Sequence, residues 1–276
     1  MLNFEIDRII QNALIEDIGT GDITTESCIP ENAHISGYFI AKEEGTVCGL
    51  FVMGRAFRLL DPEIKVTLKS SEGQRVPKGT IIAEIEGPAR AVLTGERTAL
   101  NLLQHMSGIA TAASRSVAAI SGTKARIADT RKTTPGLRIL EKYAVRTGGG
   151  SNHRIGLSDG ILIKDNHIAA AGGIIPAVEA VRRRIPHTLK IEVETTDIAE
   201  VDEALAAKAD IIMLDNMTNE QMKEAVLHIG GRALTEASGN MGDRDLKAVA
   251  ETGVDLISIG ALTHTVRAMD ISLKFN

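Results

Sequence analysis

The 276-residue chain has no tryptophan, and aromatic residues make up only 3% of it. Single-stranded nucleic acid is held largely by stacking on aromatic side chains, and such platforms are missing here. No basic excess compensates. Lys and Arg number 31 against 36 Asp and Glu, a formal charge of −5, which argues against a general affinity for nucleic acid or anionic membranes. Cysteine is nearly absent too. Cys28 and Cys48 are too few for a disulfide framework or a zinc cluster, and they fit a reducing compartment. The longest apolar stretch, Ile168–Val178, is far too short to span a bilayer. The N-terminal segment carries Glu5, Asp7, Glu16 and Asp17 and has no long apolar core, unlike a signal or transit peptide. The expected location is the cytoplasm.

What is present is a core-forming composition, 43% hydrophobic, enough for one large domain or one large and one small. Phe4, Ile6, Ile9, Ile10, Ala13 and Leu14 recur at helical spacing and predict an N-terminal helix. Residues 33–87 read as short strands separated by Gly and Pro turns. After Pro88 the chain turns helical, with Leu93, Ala99, Leu100, Leu103 and Met106 as an apolar stripe. Six strand-like runs follow, at 125–129, 160–165, 189–195, 209–215, 232–238 and 254–260, and amphipathic helical segments separate the later ones. Alternation of this kind means a parallel sheet covered by helices. Six units point to an α/β barrel, complete or slightly short of eight strands. A doubly wound open sheet is the alternative, but its Gly-rich first turn is replaced here by Asp129-Thr130-Arg131-Lys132.

A barrel gathers its chemistry at the C-terminal ends of its strands. Those ends carry Arg131 and Lys132; Lys164, Asp165, Asn166 and His167; Glu192 and Glu194; Asp215 and Asn216; Ser238, Gly239 and Asn240; then Gly260 and Ala261. A charge after a strand is usually a solvated loop. Parallel strands would bring all of these groups to one mouth. Two like charges ~4 Å apart at an effective dielectric near ~20 repel by about 4 kcal/mol. Arg131, Lys132 and Lys164 therefore make sense together around an anion. The connection after the first strand adds Gly148-Gly149-Gly150, then Ser151, Asn152, His153 and Arg154. Consecutive glycines expose backbone N–H groups, and arginine offers a fork for carboxylate or phosphate. Glu194 and Asp215 are candidates for holding Mg²⁺ beside a phosphate-bearing ligand or for bonding ribose hydroxyls. The small residues at 238–240 and 259–261 would let a phosphate approach the backbone.

The segments ERTALNLLQHMSGIAT, DTRKTTPGLR, EKYAVRTGGGSNHRIGLSDGILIKDNH, IEVE, LDN, EASGN and GVDLISIGALTH together resemble the quinolinate phosphoribosyltransferase family, over nearly the whole chain. The resemblance implies an α/β fold: an N-terminal α/β sandwich over 1–110 and an incomplete parallel α/β barrel of about six or seven strands over 111–276, with a last helix packing back on the first domain. It implies a pentosyl-transferring enzyme of NAD biosynthesis. Quinolinate and phosphoribosyl pyrophosphate would give nicotinate mononucleotide, pyrophosphate and CO₂, with Mg²⁺ and no organic cofactor. It also implies a homodimer with shared active sites, which could assemble further, and no nucleic-acid or membrane partner. Carried onto this chain, Arg97, Arg131, His153 and Arg154 would bind the pyridine dicarboxylate, and Thr130 would be among the substrate-binding residues. Lys132 and Lys164 would face the reacting centre and pyrophosphate, and Glu194 and Asp215 the ribose and Mg²⁺. Ser238, Gly239 and Asn240 with Ile259, Gly260 and Ala261 would hold the 5′-phosphate. Arg97 would reach the partner's site.

Other readings compete. The segment EGQRVPKGTIIAEIEG has the look of half a biotinyl or lipoyl carrier, but Lys42 in FIAKEEG lacks the hairpin such a lysine needs. Lys164 could be the Schiff-base lysine of an aldolase, although its arginine neighbours favour an anion clamp. The nearest alternative is a relative acting on another pyridine carboxylate, or a molybdenum-transport-associated homologue.

Overall fold

Alternation of inward and outward side chains builds the first sheet. In the computed structural model, which describes residues 3–276, β1 (His34–Ala41) and β5 (Ile81–Pro88) bury alternate positions such as Phe39, Ala41, Ala83 and Ile85. Residues 1 and 2, at the start of the predicted first domain, lie outside the described residues. The strands belong to a four-stranded sheet of order β12-β1-β5-β3, with β3 at Lys65–Leu68 and β12 at Ile271–Phe275. All its pairings are antiparallel. β2 (Gly45–Thr46) and β4 (Arg75–Val76) form a separate small pair.

The helices α1 (Asn3–Ile18), α2 (Ile23–Cys28), α3 (Leu50–Leu60), α4 (Ala89–Ala119) and α5 (Arg138–Thr147) accompany these strands. The N-terminal helix expected from the 4–14 spacing is α1. It packs on α3, and Asp7 pairs there with Arg55. Val92, Ala99, Leu103, Met106, Ala110 and Ala113 form a buried stripe along α4, at the three-and-four spacing that keeps one face inward. On α5 the side chain of Glu141 is fully buried. It accepts from the backbone N–H of Thr134 at 3.1 Å and lies 2.9 Å from His105 Nε2. These residues of the recognised motifs thus serve packing.

This first unit is discontinuous. It comprises residues up to 114, 134–149 and 266–276, so a single cut at 110 does not divide the chain this way. The chain also ends in a strand, not in the helix expected to pack back. ISLKF alternates, burying Ile271 and Leu273, and such a pattern suits an edge strand. The backbone N–H of Met269 donates to Gln104 O, and Gln104 Nε2 donates to Ile271 O. Both bonds fasten the terminus to α4.

The second unit, residues 115–133 and 150–265, holds six parallel strands in the order β6-β11-β10-β9-β8-β7. They are β6 (Arg126–Ala128), β7 (Ile161–Ile163), β8 (Ile191–Thr195), β9 (Ile211–Asp215), β10 (Leu234–Ser238) and β11 (Leu256–Ser258). Each lies inside one of the six runs expected. Between them run α6 (Asp165–Ala171), α7 (Ile174–Arg182), α8 (Ile198–Ala206), α9 (Asn219–Ile229), a 3-10 turn at Met241–Asp243, α10 (Leu246–Glu251) and α11 (Ala261–His264). Consecutive strands are neighbours, and the last returns beside the first. That order is a six-stranded barrel with no ladder between β6 and β7. A doubly wound sheet would reverse direction midway. The strands are buried on both faces along most of their length, as parallel strands inside helices must be.

Candidate active site

The C-terminal ends of all six barrel strands line one cavity of about 550 Å³. Its wall contains Thr130, Arg131, Lys132, His153, Arg154, Lys164, Glu194, Asp215, Ser238, Gly239 and Asn240, each of them expected at the site. Three expected residues, Ile259, Gly260 and Ala261, do not line it. They lie just behind Lys132: a Cβ on Gly260 would come within 3.1 Å of Lys132 Cδ, and Thr263 Oγ1 donates to Lys132 O at 2.7 Å. Arg97 lies exposed on α4, in the first unit, and is not part of the cavity wall. The Gly148–Gly150 run does not line the cavity either. Gly148 sits where a Cβ would meet Ala110 O at 2.4 Å, so close packing on α4, not anion binding, calls for glycine there.

One side of the cavity is organised by Asp129, which is fully buried at the end of β6. It accepts from Asn152 Nδ2 at 2.5 Å and from the His153 backbone N–H at 2.9 Å, and Ser151 bridges to Ala128. The Asn-His-Arg segment is thereby pinned across β6, and Arg131 and Arg154 face one space. Burial, and then the Arg131 charge, lowers the Arg154 pKa below the usual arginine range. Two guanidinium groups held against each other form a site for a planar carboxylate pair.

Lys164, the N-cap of α6, reaches Glu194 Oε2 at 3.1 Å. Asp215, at the end of β9, accepts from Asn216 Nδ2 at 2.6 Å. Asn216 and Asn240 both adopt left-handed backbone, with φ of 55° and 49°, which asparagine tolerates better than most residues. Gly239 between them has φ +98°, and a Cβ there would meet Asn216 Oδ1 at 2.3 Å. This bend exposes backbone at the mouth beside Ser238. Four cationic side chains and the carboxylates of Glu194 and Asp215 therefore share one opening.

Beneath them lie groups that strand-end reading left without a role. Glu192 and Glu236 are buried, and each approaches His153 Nε2, Glu192 Oε2 at 3.0 Å and Glu236 Oε1 at 3.6 Å. Burial first, then the Glu192 charge, pushes the Glu236 carboxyl up to about 8, while His153 pulls the other way. Ser258 and Asn216 also line the cavity. A signal for the two glutamates was present. Glu192 stands two residues before Glu194, and Glu236 two before Ser238, so the strand period of two turns each pair to the same face.

Comparison with known proteins identifies the family. Residues 22–107 match the quinolinate phosphoribosyl transferase N-terminal domain, and 109–274 the C-terminal domain of that family. A Bacillus subtilis protein named as a probable nicotinate-nucleotide pyrophosphorylase (carboxylating) is 44% identical over 99% of this chain and 94% of its own length. A tobacco quinolinate phosphoribosyltransferase (decarboxylating) is 41% identical over 99% of this chain and 83% of its own length. The solved nicotinate-nucleotide pyrophosphorylase of Francisella tularensis superposes with a TM-score of 0.95 at 43% identity, covering 100% of this chain and 98% of that one. With both domains matched in order and the strand-end residues gathered on one cavity, the chain belongs to the quinolinate phosphoribosyltransferase family.

Proposed function

We propose that this protein transfers the phosphoribosyl group of phosphoribosyl pyrophosphate to quinolinate and releases pyrophosphate and CO₂, leaving nicotinate mononucleotide. The observation that carries the reading is that Arg131, His153, Arg154, Lys132, Lys164, Glu194 and Asp215 all line one cavity. The first three suit a carboxylate clamp. Quinolinate is a dianion, and the second substrate bears several phosphate charges. Arg131 and Arg154 bind the two ring carboxylates. Lys132 and Lys164 face the pyrophosphate as it leaves, and Glu194 and Asp215 take the ribose hydroxyls. Ser238–Asn240, with the 259–261 turn behind Lys132, receive the 5′-phosphate.

The pyridine nitrogen displaces pyrophosphate at C1 of the ribose through an oxocarbenium-like transition state, so orientation and fixed charge dominate. N-ribosylation leaves the nitrogen positive. That charge stabilises the carbanion left when the adjacent carboxylate departs as CO₂, which is why no organic cofactor is invoked. Glu194 and Asp215 are hard oxygen donors on adjacent strands. They fit Mg²⁺, which binds through one or two carboxylates and substrate phosphates and would supply neutralising charge for the pyrophosphate. Arg97, outside the cavity wall, is assigned to the partner's site in a homodimer. Among the described residues no helix is long and apolar enough to cross a membrane.

The decisive measurement is CO₂ release from carboxyl-labelled quinolinate with and without phosphoribosyl pyrophosphate and Mg²⁺. Release should require both additions. Turnover of nicotinate with no CO₂ from quinolinate would move the protein to a sister activity on the same clamp.

A further inference from the structure

The floor of the cavity holds two carboxyl groups that the transfer chemistry above does not use. Glu192 on β8 and Glu236 on β10 are 3% and 1% exposed. His153 approaches both, Arg154 lies near Glu192 and Ser258 of β11 near Glu236; Glu236 also lines the cavity together with Arg131, Lys164, Glu194 and Asp215. Glu192 Oε1 and Glu236 Oε1 are both buried and accept no hydrogen bond. Ligand atoms of Glu192, Glu236 and His153 all lie within 4.8 Å of one another, so the three side chains form one compact cluster.

His153 shows what the pair acts upon. Its Nδ1 accepts from the Arg154 backbone N–H at 2.8 Å, so the ring proton resides on Nε2, which points at Glu192 Oε2 3.0 Å away. The ring is held between the backbone of its neighbour and the barrel floor. We propose that Glu192 and Glu236 are positioning residues for His153, with Glu192 accepting its Nε2–H and Glu236 bracing Glu192 from the adjoining floor. Through the His153-Arg154 backbone link, the pair sets how the dicarboxylate clamp is presented. This inference rests on the quinolinate reading for its kinetic consequence but not for its structural one.

The test combines two substitutions and one spectrum on the full-length protein. Glu236→Met keeps the bulk and removes the carboxyl group. It should raise the quinolinate KM by about tenfold and leave the KM for phosphoribosyl pyrophosphate in place. Glu236→Gln, which can still donate to Glu192, should recover most of that loss. The imidazole ¹⁵N signals of His153, read without substrate at neutral pH, should show a single Nε2–H tautomer in the wild type and lose that pattern in Glu236→Met. An unchanged quinolinate KM in Glu236→Met, or equal damage from Gln and Met, would overturn the proposal. If Glu236→Met fails to fold, the wild-type spectrum alone decides. A doubly protonated or Nδ1–H ring sinks the idea. So does stoichiometric zinc binding by the wild type at His153, Glu192 and Glu236, whose ligand atoms lie within 4.8 Å of one another, because His153 Nε2 would then ligate a cation instead of donating to Glu192. Because the spectrum needs no substrate, it stands even if quinolinate proves not to be turned over, and absent turnover by the wild type counts against the functional reading alone.

Discussion

At the scale of single residues, the cavity combines groups that would repel or strain one another without a ligand or a partner. Arg154 is desolvated beside Arg131, so its removal should be felt mainly by the dicarboxylate. Arg154→Ala is expected to raise the quinolinate KM by about a hundredfold with a much smaller effect on phosphoribosyl pyrophosphate, measured by steady-state kinetics in each substrate. Gly239→Ala places a methyl 2.3 Å from Asn216 Oδ1 at a positive φ. It should cost about 1–3 kcal/mol in chemical denaturation and weaken phosphoribosyl pyrophosphate binding. Glu236 gives a pH signature. Its folded value, about 8, lies above the ordinary 4.5, so folding favours the acid form. The stabilisation is complete below 4.5 and is lost as pH rises through about 8. Between about pH 6 and about pH 9 the wild-type Tm should therefore fall more than that of Glu236→Gln; parallel melting curves would contradict this.

At the scale of elements, helical and strand periods were legible because each depends on neighbours in the chain. The six barrel runs and α1 follow from spacing alone. The α4 stripe was read nearly right, although Val92 is buried where Leu93 was expected, one position round the helix. The terminal strand was not recognised as one. Five residues are too few to separate a strand from a frayed helix, and only pairing with β1 settles the choice. That pairing covers an edge that would otherwise be open. Leu273→Ala, at a buried position of β12, should cost about 2–5 kcal/mol in thermal or denaturant unfolding. A loss of less than about 0.5 kcal/mol, the range of surface substitutions, would mean that the strand is dispensable.

At the scale of the whole molecule, the proposed homodimer makes a prediction that no single subunit can satisfy. Arg97→Ala and Lys164→Ala should each abolish activity. Mixing the two inactive proteins under conditions of subunit exchange should restore some of it, because one mixed site then carries both native residues. Activity that stays absent after confirmed exchange would place Arg97 outside the site.

The sequence by itself determined the alternation of strands and helices, the parallel sheet, and the polar groups at the strand ends, since period and chain order are local properties. It also marked Thr130, Arg131, Lys132, Lys164, Glu194 and Asp215 for one cavity, because parallel strands send all their C-terminal ends the same way. Only the tertiary structure decided that the barrel has six strands with no ladder between β6 and β7, that Gly148 serves packing and not anion binding, and that Glu192 and Glu236 meet under His153. Those outcomes depend on distances between residues far apart in the chain, which period and chain order do not fix.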